Sequence, residues 1–144
     1  MREAPSGLVL AFDFGTRRIG VALGESLLQN ARPLATIDAE ANEARFAAIA
    51  KLIGEWQPVR LVVGLPLAMD GSEHEMTARC RRFAQQLEGR FRLPVELVDE
   101  RLTSVEAESH LSEKGIGWKE RKASLDAESA ATILASYFSA AHHP

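Results

Sequence analysis

Residues 8–24, LVLAFDFGTRRIGVALG, hold two apolar runs separated by a glycine-containing turn, and one acid, Asp13, closes the first run. Leu8–Phe12 reads as a buried strand and Ile19–Leu23 as a second, joined around Gly15. Alternation of polar and apolar residues is poor, as in strands covered on both faces. Asp13 stands where the first strand should end. An unpaired carboxylate removed from water costs on the order of several kcal/mol or takes up a proton. A metal ion, a phosphate-bearing ligand or a hydrogen-bonded turn would each account for it.

Working outward, Arg32–Ile37 reads as a third extended stretch, and three sequential strands with tight connections suggest an antiparallel start. Glu43–Trp56 places Phe46, Ile49, Ala50 and Ile53 at helical spacing and stops before Pro58. Arg60–Leu65 is a short apolar strand, followed by the Asp70-Gly71 turn. Ser72 and Glu75 have the spacing of a capping box for a helix whose apolar stripe is Met76, Cys80, Phe83, Ala84 and Leu87. Val95–Val98 is the last strand and runs into Asp99-Glu100-Arg101. Thr103 and Glu106 suggest a second capping box, opening a helix that stops near Gly115. The basic stretch Lys114–Ser124, KGIGWKERKAS, lacks periodicity and reads as a loop. A final helix from about Asp126 to Ala140 carries Ala130, Ile133, Leu134 and Tyr137 on one stripe. The order β-β-β-α-β-α-β-α-α predicts an α/β fold: a mixed five-stranded sheet, antiparallel then parallel, with helices on both faces. With 144 residues and no linker or repeat, one domain over 1–144 is expected.

Cys80 is the only cysteine, which excludes an internal disulfide and a cysteine-based zinc site and fits a reducing cytoplasm. No apolar stretch approaches the ~20 residues of a membrane span, so no membrane partner is expected. The net charge of −3 argues against nonspecific coating of nucleic acid. Local basic clusters nevertheless occur at Arg17–Arg18, Arg79–Arg81–Arg82, Arg90–Arg92 and Lys119–Arg121–Lys122.

Three acids occupy comparable places. Asp13 ends the first strand, Glu100 ends the last, and Asp126 opens the last helix. In open α/β sheets, sites gather at the carboxyl ends of the strands and the adjoining helix starts. Hard oxygen ligands without histidine or thiol suit Mg²⁺ or Mn²⁺. Asp126 is also a good N-cap residue, yet it is in phase with Ala130, Ile133, Leu134 and Tyr137 and should face the sheet. Asp99 and Glu100 would face opposite sides of the strand, and spacing leaves open which one points inward.

The segments AFDFGTRRIGVALG, VVGLPLAMDG, VDERLTS and DAESAATILASYF resemble, in this order, the motifs of the YqgF/RuvX family. That family is similar to the Holliday-junction resolvases of the RNase H-like superfamily. Its members are described as resolvases or as nucleases maturing the 5′ end of precursor 16S ribosomal RNA. The resemblance implies an RNase H-like three-layer fold and a catalytic, metal-binding set of Asp13, Glu100 and Asp126, choosing Glu100 over Asp99. It implies one or two Mg²⁺ or Mn²⁺ ions. Where related resolvases carry a second acid one turn along the final helix, this chain has Ser129.

On this reading Arg18 and Lys122 are candidates for gripping phosphate, and Arg101 for phosphate or for pairing with Asp99 or Glu100. Thr16 would approach the scissile phosphate, and Trp118 would stack on an unpaired base. The expected partner is nucleic acid, structured RNA or branched DNA, with the chain a monomer or weak homodimer. Two other classes compete: a sugar-kinase-like phosphotransferase, whose first phosphate loop Asp13-Phe14-Gly15-Thr16 fits, and a noncatalytic nucleic-acid-binding factor. The length of the chain speaks against the first, which needs two such domains. The missing fourth acid and a pI of about 5.8 lean toward the second.

Overall fold

The computed structural model describes residues 7–100 and 118–142, with only the backbone described over 118–124 and 141–142. Five strands form one sheet: β1 (Leu8–Phe14), β2 (Arg18–Glu25), β3 (Asn30–Asp38), β4 (Arg60–Leu65) and β5 (Val95–Asp99). Three helices are described: α1 (Asn42–Trp56), α2 (Glu75–Phe91) and α3 (Trp118–His142). The sheet order is β3-β2-β1-β4-β5. β1 pairs antiparallel with β2 and parallel with β4; β2–β3 is antiparallel and β4–β5 parallel. The expected mixed sheet is therefore present.

Period-2 alternation sorts the strands onto two cores. Leu10 and Phe12 of β1, Ile19, Val21 and Leu23 of β2, and Leu61 and Val63 of β4 point one way, onto Phe46 and Ile49 of α1 and Phe83 and Leu87 of α2. Val9 and Ala11, Ala22, and Val62 point the other way, onto Ala130, Ile133, Leu134 and Phe138 of α3. The two faces of β2 differ in size. Its α3 face reads Gly20, Ala22, Gly24, and this stripe lets α3 lie unusually close. A Cβ added to Gly20 would stand 1.8 Å from the Asp126 carbonyl oxygen, and one on Gly24 would stand 2.8 Å from Leu134 Cδ2. At its far end, α3 is tied to β4 and β5 by Tyr137, whose hydroxyl accepts from Arg60 Nη1 at 2.5 Å and donates to Glu96 Oε2 at 3.0 Å.

Several local expectations are corrected. β1 continues through Asp13 to Phe14, so the acid lies within the strand rather than after it. α2 opens at Glu75 with His74 as its flanking residue. The His74 N–H donates to the Thr77 hydroxyl, which donates in turn to the Pro66 carbonyl. Ser72 does not cap it; its N–H and hydroxyl both donate to Asp70 in the preceding turn. Thr77 takes the fully buried place beside the expected Met76, which is half-buried. On α1, Arg45 is buried and Ala50 exposed, because the guanidinium satisfies carbonyls of the β1–β2 turn and the β3–α1 connection. The stretch 118–124, expected as loop, is the start of α3. Residues 114–117 and the Thr103/Glu106 capping box lie outside the described residues.

The glycines separate close approach from open surface. Gly20→Ala should destabilise the chain by about 3 kcal/mol, the upper end of overpacking costs, because the added methyl meets helix backbone rather than a mobile side chain. Gly54→Ala, on α1 with nothing near its Cβ position, should stabilise by about 0.5–1 kcal/mol. Urea unfolding of the two variants against the parent checks both signs.

Candidate active site

Asp13 shares the parity of Val9 and Ala11 on β1 and so faces α3. Its position is bounded by glycine. Gly20 is its partner in the β1–β2 register, and Gly64 follows Val63, the β4 partner of Phe12. Neither neighbour projects a side chain over the acid, so the sheet surface around Asp13 forms a shallow floor. The floor is filled from the rim. On the Gly64 side, a Cβ would stand 3.0 Å from Glu100 Oε2 and 2.5 Å from Ile133 Cδ1. On the Gly20 side lies the backbone of Asp126.

Glu100 enters this space because it follows the end of β5. Asp99 is the last strand residue, paired with Leu65 and exposed, and the Glu100 N–H continues the ladder by donating to the Leu65 carbonyl at 3.2 Å. Alternation then turns Glu100 to the side of Val98, which packs against the α3 core. The choice between the two acids that spacing left open falls to Glu100.

Asp126 lies eight residues into α3, not at its start. It therefore cannot act as an N-cap, and its orientation follows from helical phase alone. Its carboxylate is one-quarter exposed and meets Arg18: Nε donates to Oδ2 at 2.7 Å. Ser129, one turn along, is buried among the alanines of α3.

The charges report how close these groups are. Burial, then the Glu100 and Asp126 carboxylates, push Asp13 up to about 8. Burial, then Asp99, pushes Glu100 up to about 7. Two carboxyls in a partly dry pocket resist becoming anions together. Cys80, deep under the same end of the sheet, is pushed up to about 12 by burial and then by Glu100 and Asp13. At neutral pH it is a thiol, which removes it as a nucleophile.

The donor set fits a hard divalent cation: two clustered carboxyls whose anionic forms are held back by burial and mutual repulsion, and no soft ligand exposed beside them. Asp13 and Glu100 would supply the first contacts. Among the described residues, no three of His, Cys, Asp and Glu stand close enough to hold a metal ion as arranged. In this arrangement the third acid, Asp126, is engaged by Arg18.

The remaining sequence candidates separate. Thr16 is exposed in the β1–β2 turn, and Arg18 begins β2 beside the acids. Trp118 and Lys122 lie on the first two turns of α3, where only the backbone is described. Arg101 lies outside the described residues. One site-supporting residue escaped the sequence reading: Arg45 on α1. Its Nη2 donates to the Gly15 carbonyl at 2.6 Å and its Nε to the Ala39 carbonyl at 2.5 Å, fixing the turn that follows Asp13 from behind. The Gly20 and Gly64 floor escaped too, although Gly20-Ala22-Gly24 alternating with Ile19-Val21-Leu23 was a readable signal.

Residues 7–140 match the family model RuvX, described as Holliday junction resolvase. A relative from Methylobacillus flagellatus is 61% identical over 132 residues, covering 92% of this chain and 90% of its own length. One from Nitrosomonas europaea is 56% identical over 142 residues, covering 99% and 96%. Both carry the name "Putative pre-16S rRNA nuclease". Among solved structures, the Thermus thermophilus RuvC in complex with Holliday junction substrate superposes with a TM-score of 0.55 at 16% identity, covering 93% of this chain and 94% of that one. That likeness shows a RuvC-like, RNase H-like fold.

The raised pKa values carry a sign. Asp13 and Glu100 bind their protons more tightly folded than unfolded, where carboxyls titrate near about 4. Their contribution to stability is thus complete below about pH 4 and is lost as pH rises through about 7 and about 8. With divalent ions chelated, the parent should lose stability across this window. Asp13→Asn should flatten the loss, as read from urea midpoints between pH 5 and 9.

Proposed function

We propose that this chain, which belongs to the RuvX family, is a nuclease that hydrolyses phosphodiesters with Asp13, Glu100 and Asp126 as its catalytic acids. The observation that carries the reading is the two half-buried acids Asp13 and Glu100 on a glycine floor beside Asp126. Two carboxyls so placed oppose each other's charge unless a cation joins them, and a cation there is what metal-assisted hydrolysis uses. The substrate that best fits is RNA at the 5′ end of precursor 16S rRNA, the activity named for relatives that match over almost the whole chain. Residues 1–144 would then act as one cytoplasmic domain in ribosome biogenesis, as a monomer or weak homodimer.

Asp13 and Glu100 would hold a Mg²⁺ or Mn²⁺ ion, with Asp126 joining them or holding a second. Such an ion, when bound, activates water and stabilises charge on the leaving oxygen. The chain's own residues do the rest. Partial burial of Asp13 within β1 and of Glu100 just past β5 would limit the water around both carboxyls. Arg18 has two alternative partners, Asp126 and a phosphate oxygen. Released from Asp126, the guanidinium would be free to grip the strand being cut. Thr16 and the Gly15 N–H lie in the turn that follows Asp13 and would contact the same phosphate. Lys122, Arg101 and Trp118 remain proposed contacts along the flanking nucleic acid.

Asp13→Asn and Glu100→Gln should each abolish Mg²⁺-dependent cleavage of precursor 16S rRNA while leaving the circular dichroism spectrum unchanged. Arg18→Ala should cost roughly 10–100-fold, the usual effect of removing a partner that orients a ligand. Running four-way junction DNA beside the RNA assigns the substrate: preferential cutting of the junction would replace the rRNA reading. No cutting of either would leave only the binding function. Independently of turnover, Mg²⁺ at about 100 times its Kd should stabilise the parent by about 2.7 kcal/mol and Asp13→Asn far less.

A further inference from the structure

On the face of the sheet opposite the acids, directly behind the β1–β2 turn, lies a cavity of about 290 Å³. Its lining includes Phe14, Asn42, Arg45, Arg79, Arg82 and Gln86, and no acid among the described residues. Arg79, Arg82 and Gln86 stand at i, i+3 and i+7 on α2 and so share one helix face. Arg81, between them, points elsewhere and forms a two-bonded pair with Glu73, at 2.6 and 3.2 Å. Arg17, Arg18 and Arg60 also have acidic partners. Arg79 and Arg82 have none among the described residues.

The third guanidinium is built into the fold. Arg45 is 3% exposed, lies 5.2 Å from the Phe14 ring centroid, and commits Nε and Nη2 to the Ala39 and Gly15 carbonyls. Burial, then the charge of Arg79, holds its pKa below the usual guanidinium range. Three cations thus converge on a cavity with no acid in its described lining, and the Glu40 charge only partly offsets the repulsion at Arg45, a costly arrangement that an entering anion relieves. The cavity is also joined to the acids through the backbone. Phe14 follows Asp13 in β1 and projects to the opposite face, and Arg45 grips the residue after it.

We propose that this cavity is a phosphate subsite. Arg79, Arg82 and Arg45 hold one backbone phosphate of the nucleic-acid strand that passes over the end of the sheet to Asp13 and Glu100. Asn42 and Gln86 offer hydrogen bonds to the adjoining sugar or base. This inference rests on the nuclease reading. A free nucleotide presents the same phosphate chemistry, but the cavity's place behind the catalytic turn favours the strand being cut.

The test uses the full chain carrying Asp13→Asn, so that the strand stays intact, and a labelled single-stranded RNA of about 12 nucleotides, within the usual length of a single-strand site. Arg79→Ala/Arg82→Ala should weaken binding roughly tenfold or more. It should also lower the slope of log K against log salt by about 0.7, one phosphate contact's share for a single strand. Arg81→Ala, equal in charge per site but paired with Glu73, should change neither by a comparable amount. Gln86→Glu places an acid among the arginines without removing any, and should weaken binding even if the double variant fails to fold. Unchanged affinity and slope in both cavity variants overturns the subsite, and so does an equal loss in Arg81→Ala. Adenosine monophosphate binding that is lost in the double variant while RNA binding is not assigns the cavity to free nucleotides and overturns it as well. Cleavage by the chain without Asp13→Asn separates the two readings. If it cuts neither RNA nor junction DNA, the nuclease reading fails. If it cuts, and KM is unmoved by the double variant, only the subsite fails.

Discussion

The close approach of α3 to β2 is the constraint on which the rest depends. A helix normally stands off a sheet by the thickness of two side-chain layers. Here Gly20, Ala22 and Gly24 remove one of them along the strand. Helix backbone at Asp126 therefore comes within contact distance of strand backbone at Gly20, the register partner of Asp13. The same geometry on the other side lets Glu100 fold over Gly64. Asp13 of the first strand, Glu100 just past β5 and the backbone of α3 at Asp126 thus border a floor made by missing side chains. The antiparallel β1–β2 pairing and parallel β1–β4 pairing supply the register that places both glycines beside Asp13.

Packing so tight has an electrostatic consequence. Asp13 and Glu100 share a partly dry space, and each raises the free energy of the anionic forms there. The third acid, Asp126, adds to this at Asp13 although it is paired with Arg18. Behind the sheet the sign is reversed: three guanidiniums converge on the opposite face of the same turn. Asp13 and Phe14, adjacent in sequence, send their side chains to these two environments.

Much of this was legible in the chain. The order of the described strands and helices and the mixed sheet follow from apolar runs bounded by turn residues, because burial dictates such patterns locally. Legibility failed where a longer-range partner overrode the local signal. Ser72 and Glu75 have capping-box spacing, but Asp70 captures Ser72, and Thr77, anchored to Pro66, starts the helix instead. Arg45 went unremarked on α1 because its two carbonyl partners lie outside the helix. The basic stretch before Asp126 looked aperiodic, yet residues 118–124 are helical.

By itself, the sequence determined the fold class and which residue types can do chemistry, since side-chain polarity and strand alternation are local properties. The four spaced motifs also carried the family resemblance, which the match over residues 7–140 bears out. Spacing left Asp99 and Glu100 equivalent; strand exit and the glycine at position 64 decided between them. Spacing allowed Asp126 to be a cap; the helix beginning at Trp118 removed that role. Only the tertiary structure could engage Asp126 with Arg18, 108 positions away in the chain. The reason is physical: proximity between remote side chains depends on how closely layers pack, and here that distance was set by the side chains glycine lacks.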